Sequence, residues 1–532
     1  MSANATRARV TLRGLNIVAS TSTRGSGTST TARCTVKRAP CAPAAAGGMP
    51  VKALNSVVFE LIGKPMMPNC IGSDMIARSL VPAGRRRRSP RARRSAQEGR
   101  WYGAARSAPT LGAKALVYCG SRQDVAMDPV PPTPAAATAA DPLIAWRDRF
   151  PILGRSNYLI SNSLGAVPEA AYDAVRAYID IWATRGVQAW QEAWWTMSAD
   201  LGATVAPLLG AAAADVVFQP CVTVAHAIVL SALDFRARPR IVTDAMHFPS
   251  ILYLLDGLRA QGAEIVTIPS DDGIRVDGER IAQAIDDATA AVCLSHVLFR
   301  SAFIHDLAPV TAAARRHGAL TVIDGYQAVG VVPVDVRDLD VDVYIGGVLK
   351  WLCGGPGGAF LWVEPSLQRA LRPRLTGWMA DAHPFDFAPT LTPRDDVWRF
   401  LTGTPNIPAL YAARPGLEIV NAVGAAAIRA KSMRQTARLL EIADAAGLPC
   451  TTPREPARRG GTVAIDVPDG YAISQALKAR AIICDYRPQA GIRLSPHFYT
   501  RDDELETAVA AIVDIRASGE WRPFAASRDT VT

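Results

Sequence analysis

The chain has 532 residues, 49% of them hydrophobic and 20% charged, which leaves room for a large core and excludes a disordered protein. No window approaches the roughly 18 consecutive apolar residues that cross a bilayer. Nine cysteines without CxxC pairs exclude a zinc ribbon or a disulfide framework, and point to a reduced, cytoplasmic setting with no metal site. The net charge of +10 belongs to a leader: residues 1–126 hold 21 Lys and Arg against 4 Asp and Glu, and the remainder is net −7.

The leader is rich in Ser, Thr, Ala and Arg and shows no sustained helix or strand period, so it reads as a disordered basic segment. Composition favours translated upstream sequence ahead of a start at Met127. The alternatives are an organelle transit peptide and an arm that binds nucleic acid through the run from Arg85 to Arg94. Aromatic interleaving is missing there apart from Trp101-Tyr102, which makes nucleic acid an improbable partner. A Pro- and Ala-rich linker, 127–141, follows. The globular part is expected as a large unit over 142–415 and a smaller α+β unit over 416–520, with a tail at 521–532.

Tyr158-Leu159-Ile160 leads into the polar turn Asn162-Ser163-Leu164-Gly165. A helix is expected over 169–185, with Tyr172, Val175, Ile179 and Trp182 on one face, and another over 201–209. The spacing of Trp190, Trp194 and Trp195 fits core or subunit contact. A strand over 215–219 runs into Pro220-Cys221-Val222-Thr223 and an apolar helix at 227–233. A hydroxyl and free N–H groups at a helix start suit a phosphate, although Thr is also an ordinary cap. Strands at 240–243, 264–268 and 291–294 alternate with helices at 278–286 and 307–317, which argues for a mainly parallel α/β sheet. His296 stands at a strand end, as a proton carrier or as a satisfied core imidazole.

Two short runs rich in β-branched residues then deliver Asp324 and, after a second strand, Lys350 just ahead of Gly354-Gly355-Pro356-Gly357-Gly358. Strand carboxyl ends are where open α/β sheets keep their ligand sites. A lysine can form a Schiff base with the aldehyde of pyridoxal 5'-phosphate (PLP), and a carboxylate can hold its ring nitrogen protonated. Taken singly, a strand-end Asp and a surface Lys are commonplace. The combination Asp-x-x-Gln … Lys-x-x-x-Gly-Gly-Pro-Gly, however, resembles the class V aminotransferase superfamily of fold type I. With the Asn-Ser-Leu-Gly turn, Gly377-Trp378 and Gly403-Thr404-Pro405, the similarity narrows to kynureninases.

That resemblance implies a PLP enzyme with Lys350 as the cofactor lysine, Asp324 as the pyridine partner and Gln327 on the phenolic oxygen. It also implies Val222 and Thr223 at the phosphate and Phe248 stacked on the ring. Trp378 and Thr404 would be lent across a homodimer, and Arg493 would grip the substrate carboxylate near Asn162, Ser163 and His296. The chain departs from kynureninases at four points: Gln327 replaces a His, Leu349 replaces the Tyr before the lysine, Ile251 replaces an acid after Pro-Ser, and the His presented to the substrate's aryl ketone has no counterpart around Gln188-Ala189-Trp190. The implied reaction is hydrolytic Cβ–Cγ cleavage of kynurenine or a related amino acid. A class V aminotransferase, epimerase or lyase on another amino acid is the alternative.

Overall fold

The computed structural model describes residues 141–526, together with the backbone of four strands between residues 6 and 61. Those four form an antiparallel meander: β1 Thr6–Leu12, β2 Leu15–Thr21, β3 Ala32–Arg38 and β4 Val58–Leu61. The sequence reading expected no regular structure there. Runs such as Thr-Arg-Ala-Arg-Val-Thr-Leu are too weakly patterned to announce strands, but the backbone pairs Thr6 with Thr21 through to Leu12 with Leu15. The arginine run at 85–94 and the linker up to residue 140 lie outside the described residues. Clustering of contacts separates 1–121 from 122–532.

In the second unit the chain opens with 3-10 turns and β5 (Asn157–Tyr158), then α1 (Ala170–Arg185) and α2 (Met197–Val205). There follow β6 (Val216–Gln219), α3 (Val222–Leu230), β7 (Arg240–Asp244), α4 (Pro249–Leu258), β8 (Glu264–Ile268) and α5 (Gly278–Gln283). Next are β9 (Thr289–Ser295), α6 (Ala308–His317), β10 (Leu320–Asp324), β11 (Val343–Gly347), β12 (Ala359–Val363) and α7 (Pro365–Gln368). The strands form a seven-stranded sheet in the order β6-β12-β11-β10-β9-β7-β8, parallel except for β12. Strands β9 to β12 are buried at every residue, as continuous apolar runs covered by helices on both faces require. Because β12 runs against both β11 and β6, the carboxyl ends of β6, β7, β9, β10 and β11 share one edge.

Two helices follow, α8 (Ile407–Val423) and α9 (Ala425–Ala445), although the Ala-rich stretch 416–438 reads in the sequence as one continuous helix. Gly424, at φ 86°, breaks them. Helix α8 lies on α1 and α2, so it belongs with the sheet, and the chain leaves for the smaller unit at Gly424, beyond the expected boundary at 415/416. That unit holds β13 (Val463–Ile465), α10 (Gly470–Ala479), β14 (Ile482–Ile483), β15 (Asp485–Arg487), β16 (Gly491–Leu494) and α11 (Asp502–Ser518). Strand β14 pairs with β5, which arrives from the other end of the unit.

The helix expected at 227–233 starts earlier, at Val222, which puts Val222 and Thr223 in its first turn. The predicted face of α1 is apolar but not covered: Tyr172 is 64% exposed, Ile179 48% and Trp182 56%. No helix among the described residues is long and apolar enough to cross a membrane.

Candidate active site

The shared sheet edge encloses a cavity of ≈ 210 Å³ lined by the start of α3, by Phe248 and Ser250 at the start of α4, and by Asp324, Tyr326, Gln327 and Lys350. Lys350 sits in the turn between β11 and β12, a turn that closes through Gly357 at φ 99°. A side chain at Gly357 would also run into Asn406 and Ala409. The Lys350 Nζ lies 4.2 Å from the Tyr326 ring centre and 5.7 Å from that of Phe248. Loss of hydration lowers the amine pKa to about 7; Arg493 and Arg487 add to the fall, while Asp324 and Asp485 oppose it. The amine therefore gives up its proton far more readily than an exposed lysine.

Asp324 is buried at the end of β10. Its Oδ1 accepts the Tyr326 N–H at 2.9 Å, and Oδ2 has no bond within the described residues. Behind it lie two neutral imidazoles. Burial lowers His226 to about 4 and also lowers His247, and the Nε2 of each lacks a partner. With no cation paired to it, Asp324 is available to a protonated ring nitrogen. Gln327 gives Nε2–H to the Asn162 carbonyl and accepts from Trp351 Nε1, both at 2.9 Å, leaving one Nε2–H for the cavity.

Helices α3 and α4 both begin without a side-chain cap, at Cys221 and Phe248, so their first N–H groups are open. Val222, Thr223 and Ser250 thus form a cradle suited to a phosphate. Uncapped N–H groups, a stacking wall at Phe248, an uncommitted carboxylate oxygen and a low-pKa lysine in one cavity fit PLP. No group of three or more His, Cys, Asp or Glu able to hold a metal occurs among the described residues.

The remaining predicted residues stand apart from the cavity lining. Arg493 is 2% exposed, and its guanidinium is already engaged: Nε reaches Asp485 Oδ1 at 2.8 Å, Nη2 reaches Oδ2, and Nη1 reaches the Phe299 carbonyl. Asp485 also meets Arg487 at 3.3 Å, and Arg487 Nη2 contacts Ser163 Oγ at 3.3 Å. One carboxylate therefore serves two guanidiniums, and a single positive charge remains for an incoming anion. Asn162 is buried with both amide atoms unpartnered. His296 is sealed against Tyr344 Oη at 2.8 Å, and burial holds its pKa near 4, the satisfied core imidazole of the two readings. Trp378 and Thr404 line two other clefts, Trp378 with Phe387 and Leu391 and Thr404 with Gln219 and Gly357.

Sequence reasoning missed Tyr326, Ser250, Asp485 and Arg487. Asp485 left no clear signal, since it meets Arg493 only through the register of a short hairpin. Tyr326 left none, because nothing in its neighbours says which way the ring turns.

The aminotransferase class-V family profile matches residues 157–485. Kynureninase from Burkholderia pseudomallei (strain 1106a) is 34% identical over 409 residues, covering 74% of this chain and 97% of that one. Kynureninase from Pseudomonas fluorescens is 34% identical over 400 residues, covering 73% and 95%. Among solved structures, the apo cysteine desulfurase of Thermococcus onnurineus NA1 superposes with a TM-score of 0.63 at 21% identity, over 72% of this chain and 100% of that one. A C-DES mutant with glycine covalently linked to its PLP cofactor gives 0.64 at 23%, over 69% and 99%. At those identities the two structures speak for the α/β fold of type I PLP enzymes alone. Family profile and relatives converge: the chain belongs to the aminotransferase class-V family, as a PLP-dependent enzyme of kynureninase-like type.

Proposed function

We propose that this enzyme hydrolyses the Cβ–Cγ bond of kynurenine or a closely related amino acid. The observation that carries the reading is the likeness to curated kynureninases along nearly their whole length, joined to a cavity with the matching chemistry. When bound, PLP supplies an aldehyde for the substrate amine and a ring that withdraws electrons from the α-carbon. The chain supplies the rest. Lys350, its pKa lowered toward neutrality by burial, takes and returns a proton at the α-carbon. The unbalanced charge of the Arg487–Asp485–Arg493 group attracts the carboxylate. Phe248, Val297, Phe299 and Leu349 give an apolar wall suited to an aryl side chain.

A homodimer is the proposed working form. It is supported by the uncovered face of α1 and by Trp378 and Thr404, which stand away from the cavity of their own chain. A cytoplasmic setting is supported by the cysteines at 221, 293, 353, 450 and 484, all free. Incubation with L-kynurenine tests the activity. Release of anthranilate and alanine is expected, and release of a keto acid without anthranilate would favour the aminotransferase alternative.

A further inference from the structure

Leu349, directly before the lysine, gives the cavity wall no polar atom. A hydroxyl comes instead from the turn after β10. Tyr326, two residues after Asp324, turns its ring face to Lys350 Nζ, and its phenol forms no hydrogen bond among the described residues. The half-buried phenol stands at the cavity wall with its donor uncommitted. Glycine at 347 makes this placement possible: a Cβ there would stand 2.1 Å from Tyr326 Cε2 and 2.7 Å from Oη. Gly347 pairs with Ala359, and Ala359 with Gln219, the residue that leads through Pro220 into Cys221 and the open end of α3. The phenol oxygen thus lies on the rung of the sheet that runs into the phosphate cradle. Burial, Asp324 and Cys221 all raise the phenol pKa, so it remains a donor.

We propose that Tyr326 closes the phosphate end of the cavity, its hydroxyl donating to the cofactor phosphate while its ring face steadies the Lys350 amine. This rests on the PLP assignment and goes beyond it, by giving the site a phosphate ligand from a residue that no part of the motif predicts. It also explains how the site keeps a hydroxyl beside the lysine although position 349 is Leu.

The test is retention of PLP by the full-length holoenzyme during dialysis, with pyridoxal, which lacks the phosphate, as the second probe. Tyr326→Phe keeps the ring and removes the donor. A hydroxyl to a charged phosphate predicts PLP affinity about 10- to 100-fold weaker, with pyridoxal affinity unchanged. Gly347→Ala leaves the phenol intact but displaces it, and PLP retention should fall there too. Equal PLP affinity in Y326F and native enzyme overturns the proposal. So does an equal loss for PLP and pyridoxal in Y326F, and so does a G347A chain that holds PLP as the native one does. A native chain with no borohydride-fixable PLP on Lys350 would instead refute the cofactor assignment itself.

Discussion

Asparagine at position 485 would separate the two jobs of the buried arginine. Asp485 is fully buried and holds the Arg493 guanidinium through Nε and Nη2, with Arg487 at 3.3 Å. Asn keeps the shape but sets an amide donor against a guanidinium donor and leaves two cations without an anion. Removing one partner of a buried pair costs about 3–5 kcal/mol. Arg493 retains the Phe299 carbonyl and Arg487 is only half-buried, so we place the loss near the low end, about 3 kcal/mol, roughly a hundredfold in the folding equilibrium. Urea unfolding with an unchanged slope and a lower midpoint is the expected readout. The double variant Asp485→Asn with Arg493→Met should recover most of the stability, since apolar groups of similar volume often replace a buried pair without loss. Its KM for the amino acid should stay raised, because the carboxylate has lost its guanidinium. A D485N chain within about 0.5 kcal/mol of the native one, the range of an ordinary surface change, would refute this account of the pair.

Four further outcomes are expected. The Lys350 pKa of about 7 lies below its ordinary value of 10.5, so the cofactor-free fold carries a penalty that is complete below pH 7 and fades as pH rises to 10.5. The stability that Lys350→Met gains over the native chain should therefore shrink across that window, as followed by urea midpoints at a series of pH values. Thr223→Ala should weaken PLP retention by about tenfold, one charge-assisted hydrogen bond, measured by dialysis. Gly165→Ala should cost about 1–3 kcal/mol in urea unfolding and disturb PLP loading, because its Cβ would sit 2.0 Å from the Lys350 carbonyl. Trp182→Glu, on the uncovered face of α1, should shift the enzyme from dimer to monomer by analytical ultracentrifugation.

What the sequence disclosed follows from how far each signal reaches. Asp324 and Lys350 were legible because each follows a strand whose apolar run marks its own end, whereas Gln327, Phe248, Val222 and Thr223 came from the family resemblance; the sheet gathers all six on one cavity. Strand bounds such as Glu264–Ile268 were read without shift for the same reason. Arg493 came from the resemblance, but its tie to Asp485 depends on hairpin register, which the intervening Pro488-Gln489-Ala490 does not announce. The break at Gly424 was hidden by the alanines around it, whose helix propensity is high on both sides. The direction taken by the Tyr326 ring depends on the missing side chain at Gly347, a residue from another strand.

The pairing of β5 with β14 has a consequence for how the chain is made. Residues near the start of the globular part, through Asn157–Tyr158, the Arg147–Glu504 ion pair at 2.6 Å and the Asp141–Lys431 pair at 2.8 Å, are stitched to the unit built from its far end. On the ribosome this opening segment emerges early and has nothing to pair with until translation is almost finished. Synthesis, not only diffusion, thus sets when the smaller unit can complete itself, and a fragment beginning at Gly424 would lack the strand that finishes it.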